Sequence, residues 1–263
     1  MTKEVERAIE EAQLVLVGLG TEWETPADRW KENPLYGSLA AQTEGSGPFE
    51  QYLCFHDLEH NPDLEKKKAY QKLGQLLQGK NYFIVSLCRD DLIYGSGLDE
   101  GRIVTPCGGF RALQCENGCP LCGESGLLKE DVQKAVLRAV DEALAAGKPK
   151  REVFPFCPSC QKPLWFNRIS SPAYREEGYL PQWEKYTKWL QGTLNRELCI
   201  LELGAGMQFP QIIRFPFEKV AYFNQKARFF RVHSRLYQMT EELGEKGVSI
   251  AKNSVEFLLE ESE

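Results

Sequence analysis

No apolar run in this chain approaches the eighteen or so residues that cross a bilayer. That excludes a helical membrane span. There is no basic block, and the net charge is −6, so nucleic acid is not an expected partner. The opening residues, Met1-Thr2-Lys3-Glu4-Val5-Glu6-Arg7, are charged and helix-prone, unlike a signal peptide. Internal repeats and low-complexity tracts are absent. Nine cysteines, an odd number, do not form a paired disulfide framework and point to a reducing, cytoplasmic setting. With 263 residues the chain has room for one large domain or a large and a small one.

Four of the cysteines fall in two matched pairs, Cys119-Pro-Leu-Cys122 and Cys157-Pro-Ser-Cys160. Each tight turn lets two thiolates reach one ion. Two such turns supply the four sulfurs of a closed structural zinc site. A redox dithiol would instead place a single C-x-x-C at a helix start. Such a closed site has no open position, so the expected zinc holds structure. Cys115, separated from the first knuckle by Glu116-Asn117-Gly118, is an alternative ligand to Cys119 or Cys122.

Residues 3–12 have amphipathic helical spacing. Leu14-Val15-Leu16-Val17 is a short buried-strand pattern ending in the turn Gly18-Leu19-Gly20. Residues 24–46 carry prolines and glycines and are expected to be loop. Residues 64–79 have helical spacing. Strands are expected at 82–87 and 102–104, and a helix at 128–146. A further helix is expected at 181–194. Leu198-Cys199-Ile200-Leu201-Glu202-Leu203 is a strand pattern followed by a second glycine turn, Gly204-Ala205-Gly206. A helix over 210–224 and a strand over 228–232 follow. Strands alternating with helices predict an α/β fold with a Rossmann-like, doubly wound parallel sheet. Glycine turns after strands let a backbone approach a pyrophosphate at the sheet edge. The alternative is an ordinary tight strand-to-helix turn.

This order of parts resembles the sirtuins: a dinucleotide-binding sheet interrupted by a four-cysteine module. The sirtuin G-A-G turn matches Gly18-Leu19-Gly20. The T-Q-N-I-D segment matches Ser86-Leu87-Cys88-Arg89-Asp90, and the H-G segment matches Cys107-Gly108. The late G-T-S turn matches Gly204-Ala205-Gly206, and R-I-N matches Arg231-Val232-His233. Leu201-Glu202-Leu203-Gly204-Ala205-Gly206, Pro210 and Ile212-Ile213-Arg214-Phe215-Pro216-Phe217-Glu218 resemble the macrodomain-linked bacterial sirtuins of class M, which are linked to protein ADP-ribosylation. The resemblance implies one domain over 1–263. Its Rossmann-type core would span about 1–30, 80–114 and 166–263, with a helical segment near 31–79 and a zinc module near 115–165.

It also implies NAD or ADP-ribose as ligand, a possible protein substrate, and ADP-ribosyl transfer or lysine deacylation as activity. Binding without turnover is the alternative. The implied cofactor contacts are Gly18, Leu19, Gly20, Glu22, Cys88, Asp90, Gly204, Ala205, Gly206 and His233. The implied catalytic positions are Cys88, Asp90 and Cys107. Cysteine stands where sirtuins carry the asparagine (Cys88) and the histidine (Cys107). Glu22 stands where they carry a serine, and a carboxylate there repels a pyrophosphate unless it turns to solvent. His56 and His60, four apart, share a helix face; surface or capping roles are the simpler expectation, since a metal needs a third ligand.

Overall fold

The computed structural model describes residues 1–43, 47–150 and 153–260. Helix α1, Lys3–Glu11, turns Val5 and Ile9 inward. It leads into β1, Leu14–Leu19, every residue of which is buried. Strands β2 (Asn81–Ser86), β3 (Ile103–Val104), β6 (Leu198–Leu203), β7 (Ala227–Val232) and β8 (Gly247–Ile250) join it in one sheet, ordered β3-β2-β1-β6-β7-β8. All its pairings are parallel. A parallel sheet covered on both faces needs nearly continuous apolar strands, as β1 and β6 are.

One face packs on Val15, Val17, Tyr70, Leu73 and Phe230. The other packs on Leu16, Phe83, Phe217 and Phe229. The chain runs outward from β1 through β2 to β3, then returns to β6 on the other side of β1. That reversal lies at β1 and β6, whose carboxyl ends mark the usual ligand position in open α/β sheets.

A second, smaller unit surrounds the antiparallel pair β4 (Gly108–Cys115) and β5 (Leu164–Arg168). Helices α3, Gly47–His60, and α5, Val132–Ala146, pack on this pair. Their shared core holds Phe49, Tyr52, Phe55, Phe110, Val136, Val140 and Phe166. The helix pattern begun at Leu128 starts at Val132 instead. Leu128 exchanges main-chain hydrogen bonds with Leu113, at 2.9 and 3.0 Å, and so extends the β4 side of the hairpin.

The stretch 24–46, expected as loop, contains α2, Pro34–Ala41. Pro34 stands in the first helical turn, where its missing N–H costs nothing, and Asn33 Oδ1 caps Leu35 N at 3.0 Å. The remaining α-helices among the described residues are α4 (Leu64–Leu76), α6 (Leu180–Gln191), α7 (Arg214–Phe223) and α8 (Ser254–Leu259).

Candidate functional site

The two glycine turns meet at the sheet reversal. A Cβ on Gly20 would lie 2.1 Å from the Gly204 carbonyl oxygen and 2.2 Å from Ala205 Cα. Gly20 is therefore required by backbone packing between the turns. A Cβ on Gly18 would strike Ile213 and Phe217 at 2.6 and 2.7 Å. Gly204 has φ +68°, and a Cβ there would strike Glu22 Cβ and Ser254 Oγ, both at 2.6 Å. Leu19 and Ala205 are buried. Gly206 differs: the nearest atoms to a Cβ there are His233 Nε2 and Thr21 Oγ1, both at 3.9 Å. Of these glycines it is the one where a Cβ would fit without a clash, in van der Waals contact with polar side chains.

His233 Nδ1 accepts the main-chain N–H groups of Arg235 and Leu236 at 3.0 and 3.2 Å. The neutral ring therefore carries its proton on Nε2, the atom beside Gly206. Burial lowers the His233 pKa, so the 3.2 Å approach of Glu22 Oε1 to Nδ1 is not an ion pair at neutral pH. Glu22 is not turned to solvent. Its carboxylate accepts Ser234 N at 2.9 Å and Ser254 N at 2.8 Å, the latter at the start of α8. Burial pushes its pKa up, but these hydrogen bonds outweigh burial and hold it below the ordinary value. Amide dipoles, not water, compensate the charge.

Asp90 is buried and accepts Thr25 N at 2.7 Å and Leu92 N at 3.3 Å. It thus ties the loop after β1 to the end of β2. Burial raises its pKa. The Cys88 thiol donates to the Gly20 carbonyl at 3.3 Å. Burial holds that thiol far above its ordinary pKa and pushes Cys107 up to about 12, against the pull of Arg89. Both are thiols at neutral pH. They pack in different apolar clusters, Cys88 with Tyr70 and Cys107 with Phe83.

Two arginines in this region went unsingled in the sequence. Arg89 grips Glu24 through Nε at 2.7 Å and Nη2 at 2.8 Å, while its N–H reaches Glu24 Oε1 at 3.1 Å. Arg168, at the end of β5, is 5% exposed and lies 4.3 Å over the Phe110 ring. Its Nε has no hydrogen-bond partner, and among the described residues it makes no salt bridge to a carboxylate. A charged residue at an inward strand position, just beyond the second cysteine pair, was the available signal.

The cysteines gather differently from the expected set. Cys115, Cys119, Cys157 and Cys160 hold their sulfurs within 4.8 Å of one another, a group that could hold a metal ion. Cys122 is exposed and stands outside it. The reason is local: Cys115 ends β4 opposite Leu164, and a turn with Gly118 at φ +70° brings Cys119 back beside it. The Cys115 and Cys160 sulfurs are 3.4 Å apart. Main-chain N–H groups of Cys160 and Ser159 outweigh burial and lower Cys157 to about 7.

Solved structures share this architecture. A Sir2 structure with a p53 peptide and NAD+ aligns over 97% of this chain and 95% of its own, with TM-score 0.55 and 14% identity. The chain has the sirtuin fold. A Sir2 structure bound to an acetylated peptide gives TM-score 0.53 at 13% identity, over 97% of this chain and 94% of its own. No family model matches the sequence. A protein ADP-ribosyltransferase of Staphylococcus aureus (strain Mu50) is 21% identical over 265 residues, 94% of this chain and 82% of the relative. A probable bifunctional ADP-ribose hydrolase/ADP-ribosyltransferase of Fusarium oxysporum f. sp. cubense is 28% identical over 152 residues. That match spans 53% of this chain and 23% of the relative.

Proposed function

We propose that the protein binds NAD in the crevice between the ends of β1 and β6 and transfers its ADP-ribose to a protein acceptor. The observation that carries this reading is the unclashed position of Gly206, within van der Waals reach of the Thr21 hydroxyl and His233 Nε2, at the reversal point of a sirtuin-fold sheet. Gly18, Gly20 and Gly204 shape that crevice by packing; Gly206, Thr21 and His233 would touch the ligand. Glu22, already satisfied by main-chain amides, leaves His233 free to donate. Arg168 offers the unpartnered Nε–H of its buried guanidinium to an electron-rich group, since a buried donor is costly without a partner. Asp90 would act as a positioning residue, through the loop it anchors.

Transfer fits these residues better than deacylation. When the nicotinamide C–N bond breaks, the electron pair leaves with neutral nicotinamide, and no acid is needed for departure. Deacylation by the family's route needs a base on a ribose hydroxyl, and the buried Cys107 thiol is not one. Binding without turnover is the second reading, and the same two protonated thiols, Cys88 and Cys107, favour it.

The four-cysteine group would hold a structural zinc through Cys115, Cys119, Cys157 and Cys160. The donor set fits: four converging sulfurs, one of them at a pKa near 7. The unit around β4, β5, α3 and α5 would be the zinc-bearing module of one sirtuin-like domain. Incubation with NAD labelled on the adenine ring, together with candidate acceptor proteins, tests the transfer. Label retained on an acceptor after denaturation is the expected result. Nicotinamide release with label left only in free ADP-ribose would contradict protein transfer.

A further inference from the structure

His56 and His60 were set aside in the sequence for want of a third ligand. The structure supplies one from another helix. His56, His60 and Asp141 of α5 place their ligand atoms within 4.8 Å of one another. We propose that these three residues form a second metal site, distinct from the cysteine group, that takes a borderline divalent ion such as Zn2+ and clamps α3 to α5.

Three independent features of the geometry support it. First, the spacing of four on α3 sets both imidazoles on one face, and the rings lie parallel, with centroids 4.0 Å apart and an interplanar angle of 19°. Second, the ring nitrogens away from the group are already engaged, as metal-bound histidines require. His60 Nδ1 meets the His56 carbonyl at 2.9 Å, so it must donate, and Nε2 keeps its lone pair. His56 Nδ1 meets the Tyr36 hydroxyl at 2.8 Å. Third, the nearer acids are accounted for. Asp57 is held by Arg29 at 2.8 Å and Asn61 at 3.0 Å. Glu59 is not among the converging ligands, so the His56-x-x-Glu59-His60 run supplies two ligands and no general base.

In the metal-free protein, His56 Nε2–H donates to Asp141 Oδ1 at 2.9 Å. An ion entering there takes the Nε2 lone pair. The neutral ring's single proton moves to Nδ1, where the Tyr36 oxygen turns to accept it, and no proton is released to solvent. Two imidazoles and a carboxylate suit zinc-like ions, and the partly exposed side of the group leaves a coordination position for water.

Protein reduced and loaded with one zinc per chain at its cysteines is titrated calorimetrically with Zn2+ in two buffers of different ionisation enthalpy. A second ion per chain is expected, with nearly the same binding enthalpy in the two buffers because no ring proton is released. His60→Ala and Asp141→Ala, both on exposed side chains, are each expected to weaken that second step by tenfold or more while the cysteine-bound zinc stays. Tyr36→Phe is expected to weaken it roughly tenfold by freeing the His56 ring. His56 itself is buried and is left intact. No second ion, or one that binds His60→Ala as tightly as the parent, overturns the site.

Discussion

Asp91 has a left-handed backbone, φ +57°, and its carboxylate accepts the Phe110 N–H. Enclosure of the carboxyl pushes its pKa up to about 7 from 3.8, despite that hydrogen bond. The folded state therefore holds a proton that the unfolded chain gives up near pH 4. Stability from this group is complete below pH 4 and is lost as the pH rises toward 7. The shift corresponds to at most roughly 4 kcal/mol, and partial exposure of the residue reduces it to about 2 kcal/mol. Asp91→Asn keeps the acceptor and tolerates the left-handed backbone. Denaturant midpoints taken across pH 4–7 are expected to lose that decline in the variant; an unchanged decline would contradict the assignment. Glu22 has the opposite sign. Its pKa is lowered, so its contribution is present above the ordinary value of 4.5 and fades as the pH falls through the folded value.

At the scale of elements, the parallel sheet was legible because β1, β2, β6 and β7 are short apolar runs stopped by glycine or polar turns. The β4–β5 hairpin was not. Strand β4 opens on Gly108-Gly109, carries Arg111 and Gln114, and shifts register between Gly108 and Leu113, so its sequence has no clean alternation. The first knuckle misled for a related reason. The C-P-x-C pattern favoured Cys119 with Cys122, but the strand fixes Cys115, and the left-handed Gly118 returns the chain at Cys119. Zinc content and thermal midpoints of single serine variants separate the two sets. Cys115→Ser is expected to lose the ion and several kcal/mol of stability with it. Cys122→Ser is expected to keep both. Metal loss in Cys122→Ser with retention in Cys115→Ser would restore the original pairing.

For the whole molecule, the glycine positions at the crevice were readable from sequence, but their reasons were not. A sequence shows that a turn needs glycine without showing whether a ligand or the neighbouring turn fills the space. Here Gly20 meets the Gly204–Ala205 backbone, whereas a Cβ at Gly206 would meet nothing closer than 3.9 Å. Gly20→Ala forces backbone apart and is expected to cost about 3 kcal/mol of stability. Gly206→Leu leaves the fold intact and fills the crevice. The most direct test of the account is calorimetric NAD binding with nicotinamide release measured in the same samples, for the parent protein and Gly206→Leu. The account predicts binding and release in the parent, and neither in a Gly206→Leu protein whose thermal midpoint is unchanged. A parent protein that binds no NAD, or a Gly206→Leu variant that binds and cleaves it equally well, would contradict it.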